Sequence, residues 1–149
     1  MRKKGVLSAA IELQVPFFDV DMMQIVWHGH YVKYLEQARC ALFERFDYGY
    51  AKMVESGFAW PIIDIQLRYV QGATCGQMIR VQADLVEWQN RVKVNYLITD
   101  GATGTRLTRA SSVQVAVDMN TREMLFASPP ALTERIDRLL AALPTEPAA

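Results

Sequence analysis

Two carboxylates and both histidines of this 149-residue chain stand close together, in Asp19-Val20-Asp21 and His28-Gly29-His30. The surrounding segment, residues 17–36, reads FFDVDMMQIVWHGHYVKYLE. An alternating apolar run (Ile11, Leu13, Val15, Phe17) ends at the aspartates, and a helical period begins at His28. A carboxylate just ahead of a helix start faces unpaired N–H groups and the positive end of the helix dipole. That pairing suits chemistry at an acyl carbonyl, with the carboxylate attacking or deprotonating and the N–H groups receiving the developing oxyanion. Each residue also has a plainer reading. Asp21 alone can cap loop N–H groups. His28 is either an acid–base partner or a ring packed on Trp27.

The elements that must hold these residues follow from period and punctuation. Residues 10–18 alternate as a strand, with Glu12 and Gln14 opposite the apolar face. From His28 to Asp47 a broad apolar stripe of Tyr31, Tyr34, Leu35, Ala38, Leu42 and Phe46 predicts a long amphipathic helix. Gly49 and Gly57 bracket a short second helix or turn. Beyond Pro61 the period returns to two, through Ile63–Tyr69, Ile79–Leu85, Val92–Ile98 and residues 107–117. Val86 and Trp88 break phase, predicting a bulge near Leu85. Gln89-Asn90 and Asp100-Gly101 with Gly104 read as hairpin turns. A brief strand is expected over residues 123–127, then a helix capped by Ser128 and opened by Pro129-Pro130. The pattern is α+β: one long helix against a curved antiparallel sheet of five to six strands. It implies a single domain over residues 1–149, ordered from about 9 to 143, with residues 144–149 as a flexible tail.

Composition narrows the function classes. Formal net charge is zero, which argues against nucleic acid as a partner, because phosphate binding relies on a basic surface. No apolar stretch reaches membrane-spanning length, and Glu12 and Gln14 interrupt any signal-peptide core, so a cytoplasmic protein without membrane insertion is expected. Cys40 and Cys75 lack metal-ligand spacing and read as buried thiols. With two histidines in the chain, no metal site is expected. No phosphate-cradling glycine loop, dinucleotide fingerprint or serine elbow occurs.

The run from Asp21 through Gln24, Val26, Trp27, His28 and Tyr31 to Glu36 resembles the motif of hotdog-fold acyl-CoA thioesterases. The match is to the 4-hydroxybenzoyl-CoA thioesterase family and its Tol–Pal-linked relatives, and strand order extends it over about residues 11–130. The resemblance implies a hotdog fold, a central helix wrapped by the sheet, and hydrolysis of an acyl-CoA or acyl-carrier-protein thioester. CoA would then belong to the substrate, with no cofactor. It implies Asp21 as the catalytic aspartate and the His28 backbone N–H as the polarising donor. Tyr31 and Glu36 match helix residues that line or buttress the site; Glu36 reads equally as a solvated-face residue.

Three positions depart from the family pattern. Gln24 stands where the family has Gly, a residue that takes positive φ and lets backbone approach a substrate. Its side chain either narrows the pocket, offers an amide to the oxyanion or attacking water, or faces solvent. His30 replaces an Asn and is read as structural, and Phe18 replaces a Tyr found in one branch. Arg91 and Lys93, with Arg106 and Arg109, are candidates to hold CoA phosphates; the resemblance points to the first two. The resemblance further implies a homodimer, often paired into a homotetramer. The alternatives are a hotdog hydratase or dehydratase and a non-catalytic acyl-binding dimer.

Overall fold

The structure, a computed structural model, describes residues 5–144. The expected tail from residue 145 onward lies outside the described residues. Strand β1 spans Leu7–Gln14, three residues earlier than its sequence pattern suggests at the start. It ends before Pro16 because residues Phe17–Asp19 form a 3-10 turn. A second 3-10 turn, His28–His30, leads into helix α1, Tyr31–Arg45. Helix α2, Tyr50–Ser56, closes on Gly57, which takes a φ of 84°. Then come β2 (Phe58–Ala59), β3 (Ile62–Tyr69), β4 (Met78–Glu87), β5 (Val92–Asp100), β6 (Arg106–Gln114), β7 (Val117–Asp118) and helix α3 (Pro130–Ala142).

Five strands make one antiparallel sheet in the order β1-β4-β5-β6-β3, while β2 and β7 form a separate ribbon. Period-two alternation sends one face of this sheet toward α1. Ile79, Val81, Ala83 and Leu85 of β4 and Val92, Val94, Tyr96 and Ile98 of β5 are buried there. Helix α1 answers with Tyr31, Tyr34, Leu35, Ala38, Leu42 and Phe43. This long helix wrapped by a curved antiparallel sheet is the hotdog fold. The expected bulge is present, where the β4–β5 register shifts between Leu85 and Glu87 and Val86 stands out of turn.

Helix α3 buries Leu132 and Ile136 completely. Arg135 ties it down, donating to the Asp47 carbonyl at 2.9 Å and lying over the Tyr48 ring at 5.4 Å. No described helix is long and apolar enough to cross a membrane.

Three local expectations are corrected. Residues 123–127 form no strand; Met124 makes a single bridge to Val117. Ser128 does not cap α3, whose N-cap is Pro129; its N–H instead donates to the Gln89 carbonyl, and its hydroxyl is buried without a partner among the described residues. Cys40 and Cys75 are both exposed, because Cys40 lies on the side of α1 away from the sheet and Cys75 lies in the loop before β4.

Candidate active site

The segment between β1 and α1 folds as a small hairpin. Val20 bridges Val26, the Asp21 N–H donates to the Ile25 carbonyl at 2.9 Å, and the Gln24 N–H donates back to the Asp21 carbonyl at 3.0 Å. Asp21 therefore stands at the hairpin's turn, and its Oδ1 accepts the Met23 N–H at 2.8 Å. Gln24 takes a φ of 67°, the left-handed conformation that the family's glycine favours. The backbone path is thus kept with a side chain in place, at a cost of about 1–2 kcal/mol for a non-glycine residue.

Asp19 fastens this hairpin to the helix. Its carboxylate is buried and accepts Lys33 Nζ at 2.8 Å and the Tyr34 hydroxyl at 2.6 Å, while His30 Nδ1 lies 3.9 Å away. The Asp19 carbonyl also accepts the Trp27 N–H at 3.0 Å. Burial pushes the Asp19 carboxyl upward, but hydrogen bonds from Lys33 and Tyr34 and the charges of Lys33 and His30 outweigh it, leaving the group below its ordinary value. The Tyr34 hydroxyl is pushed upward by its own burial and by the Asp19 carboxylate.

Beyond this anchor the first turn of the helical segment is open. His30 donates to the Trp27 carbonyl at 2.9 Å. Among the described residues the N–H groups of His28 and Gly29 donate to no protein acceptor, as expected for a helix start. The His28 ring packs on Trp27 with centroids 4.8 Å apart, and its carbonyl accepts the Tyr69 hydroxyl at 2.7 Å. That bond ties the helix start to the edge strand β3. Gly29 leaves room for the Trp27 ring: a Cβ there would lie 2.2 Å from it, so a larger residue would have to displace that ring.

The other sequence candidates fall in three places. Tyr31 is buried, and its hydroxyl accepts the Ala73 N–H at 3.1 Å. It thereby braces residues 73–74, which pair with Ile25 and Val26. Glu36 is exposed, bonded to Arg39, and lines a cavity between α1, α2 and the β2–β7 ribbon. Arg91 and Lys93 line a groove on the opposite face of the sheet, together with Arg109. Asp21, Gln24 and His28 line neither of these cavities. Among the described residues no cluster of three His, Cys, Asp or Glu side chains could hold a metal.

Two features of the groove escape sequence reading. Arg106 does not line it, whereas Arg68 does. Strand register sets Arg68 directly opposite Arg109. Facing like charges destabilise a sheet, and neither guanidinium has an ion-pair partner among the described residues. Arg91, by contrast, is paired with Glu87 at 3.2 Å.

A family model described as the Thioesterase-like superfamily matches residues 15–145. A Bacillus subtilis (strain 168) protein named "Putative acyl-CoA thioesterase YneP" is 27% identical over 108 residues, covering 72% of this chain and 78% of that protein. The structure of Slr0204, a 1,4-dihydroxy-2-naphthoyl-CoA thioesterase from Synechocystis, has a TM-score of 0.77 at 18% identity, covering 91% of this chain and 97% of its own. A DHNA-CoA thioesterase from Staphylococcus aureus has a TM-score of 0.79, also at 18% identity, with 90% and 89% covered.

Two stability outcomes follow from this geometry. A carboxyl whose folded value is depressed contributes stability above its unfolded value near pH 4, and loses it as pH falls through the folded value. Asp19→Asn should therefore cost about 1.5–3 kcal/mol at neutral pH and flatten the loss of stability below about pH 4. Denaturant titrations at stepped pH measure both. Gln24→Gly should raise stability by up to about 1 kcal/mol, since relief of the left-handed strain exceeds the entropy added to the unfolded chain. A shift in denaturation midpoint at unchanged slope reports it.

Proposed function

Because the chain belongs to the thioesterase-like superfamily, we propose that it hydrolyses acyl thioesters of CoA or of an acyl carrier protein. The observation that carries this reading is the half-buried Asp21 at an exposed turn, held by Asp19 next to a helix start whose His28 and Gly29 N–H groups donate to no acceptor among the described residues. In this reading the thioester carbonyl oxygen sits on the His28 N–H, aided by the helix dipole. Asp21 attacks the carbonyl carbon or takes a proton from the attacking water. The tetrahedral intermediate collapses by breaking the C–S bond. The thiolate leaves and takes up a proton, for which the exposed His28 ring stands at hand.

On the nucleophilic route an anhydride with Asp21 forms and water then opens it. On the general-base route the acid forms directly. Gln24, exposed in the same turn, offers its amide to the oxyanion or the water, while Tyr31 supports the site from α1 by bracing residues 73–74; Glu36 points to a separate cavity and has no part in it.

Substrate phosphates have a matching surface. Arg68, Arg109 and Lys93 present positive charge without counter-ions among the described residues, so a phosphate relieves the Arg68–Arg109 repulsion. A second copy of the chain completes the assembly. Strand β3 is an exposed sheet edge, and Phe17, Phe18, Met22, Met23 and Trp27 lie exposed in the hairpin segment joined to β3 through Tyr69. Open edges and contiguous apolar patches mark association surfaces. Pairing two β3 edges covers both and brings each site against the other copy.

Asp21→Asn should fold normally, since Asn keeps an acceptor for the Met23 N–H, yet lose about 10²–10⁴-fold in turnover. Thiol release from a panel of acyl-CoA substrates measures it. Full activity in Asp21→Asn rejects the assignment; water addition to an enoyl-CoA, or tight binding without thiol release, favours a hydratase or an acyl-binding dimer instead. Single-turnover hydrolysis in ¹⁸O-water separates the routes, because label entering Asp21 requires the anhydride. Light scattering at micromolar concentration should find a dimer or tetramer; an active monomer contradicts the shared-edge assembly.

A further inference from the structure

The His28 and Gly29 N–H groups belong to two successive peptide units, and each unit is held through its carbonyl. The Trp27 carbonyl, in the unit that carries the His28 N–H, accepts the His30 N–H at 2.9 Å. The His28 carbonyl, in the unit that carries the Gly29 N–H, accepts the Tyr69 hydroxyl at 2.7 Å. A peptide unit is planar and trans, so a bond that fixes its carbonyl also fixes the direction of the N–H on the opposite side. Such a bond polarises the unit as well, which strengthens that N–H as a donor. The two holds differ in origin. The first lies within a 3-10 turn, whose bonds have poorer geometry than those of an α-helix. The second comes from the sheet, 41 residues along the chain.

The second unit is the one that needs support from outside. Gly29 has no Cβ, so the plane it shares with His28 turns more freely than one between two larger residues. A side chain cannot stiffen it in place, because it would have to displace the Trp27 ring. Tyr69 supplies the stiffness instead. It is the last residue of β3, paired with Thr108 of β6, and the N–H groups of Val70 and Gln71 both donate to the Leu107 carbonyl at 2.9 and 3.0 Å. Its ring meets the buried Tyr31 edge-on, with centroids 5.2 Å apart. Burial and the neighbouring Tyr31 push the Tyr69 hydroxyl upward, so it keeps its proton and donates.

We propose that Tyr69 is a positioning residue for thioester hydrolysis: through the His28 carbonyl it aims the Gly29 N–H at the oxyanion, alongside the His28 N–H. The proposal rests on the thioesterase reading for the oxyanion, and on the bond from Tyr69 to His28 for the rest. Tyr69 touches no reacting atom. Its effect is felt as charge develops, because a neutral thioester carbonyl gains little from a well-aimed donor and an alkoxide gains much. Loss of the hydroxyl should therefore slow the chemical step and leave substrate binding alone.

Tyr69→Phe tests this, since it keeps the ring against Tyr31 and the backbone bonds of β3 while removing the donor. Three quantities are compared with the wild-type protein. Single-turnover hydrolysis of benzoyl-CoA and decanoyl-CoA should slow by about 5–50-fold, less than the loss of a whole oxyanion donor. Inhibition by S-decyl-CoA, a thioether with no carbonyl, should stay within about twofold. The NMR order parameter of the Gly29 amide should fall from the rigid range, about 0.85, toward about 0.6. Hydrolysis within twofold of wild type, or an unchanged Gly29 order parameter, overturns the proposal. A loss of thioether binding equal to the loss of rate overturns it too, because that marks a general loosening of the site. So does failure of Tyr69→Phe to fold, since the hydroxyl would then hold the fold rather than aim one N–H. If the wild-type protein releases no thiol from either substrate, the hydrolase reading falls, and the Gly29 order parameter alone decides whether Tyr69 holds the peptide. Wild-type turnover that is indifferent to Tyr69→Phe does the reverse.

Discussion

The buried carboxylate of Asp19 is the interaction on which the site depends. A charge removed from water survives only if its lone pairs are filled, and here Lys33 and Tyr34 of α1 fill them. Both donors belong to the first turns of the helix, so the carboxylate binds the loop to α1 rather than to the sheet. The carbonyl of the same residue takes the Trp27 N–H and closes the hairpin. One residue thus sets the distance between the Asp21 turn and the helix start. The hairpin's far side is held by Ala73, whose carbonyl takes the Val26 N–H and whose own N–H goes to Tyr31. The Asp21 turn is therefore braced by α1 on one side and by residues 73–74 on the other, and both braces lead back to the same helix.

This arrangement explains why two aspartates two residues apart have different fates. In a continuing strand, Asp19 and Asp21 would point to the same face. The 3-10 turn over Phe17–Asp19 ends the strand alternation and rotates Asp19 inward, and the hairpin turn sends Asp21 outward. Period alone cannot separate them. The motif could, because the family spacing from the aspartate to Tyr31 selects Asp21, and it is Asp19 that the fold buries.

The same division between pattern and geometry runs through the whole chain. Strands, the long helix and the Leu85 bulge were legible, because burial on one face imposes a period that composition displays. The final helix was legible as an element, but not its cap. Ser128 looks like a capping residue until its N–H is drawn to Gln89 in the turn between β4 and β5, which no local pattern encodes. Gln24 misleads in the other direction: glycine is the expected residue at positive φ, but the hairpin's two backbone bonds hold a glutamine there. Arg68 opposite Arg109, and the Gln114 side-chain carbonyl, buried with no partner among the described residues, arise from strand register and packing depth. Neither leaves a trace in spacing along the chain.

Strain at Gln24, apolar side chains exposed beside it and unmatched guanidinium groups on the far face of the sheet share one physical character. Each is a local cost that folding of one copy does not remove. The Thr108 hydroxyl, buried with no partner among the described residues, is different, because it lines neither cavity and no ligand entering them meets it. The costs that remain lie where the proposed reading needs contact: the turn facing the thioester, the edge facing a second copy, and the groove facing phosphate. What offsets them is the core built around α1 and closed by α3, whose largest side chains are fully buried. Relieving the apolar exposure from within one chain would require covering the hairpin, and a covered hairpin would bury Asp21 away from any substrate. The proposed association through the β3 edge would escape that conflict, because it would shield the flanking Phe17, Phe18 and Trp27 without folding any segment of the same chain over Asp21.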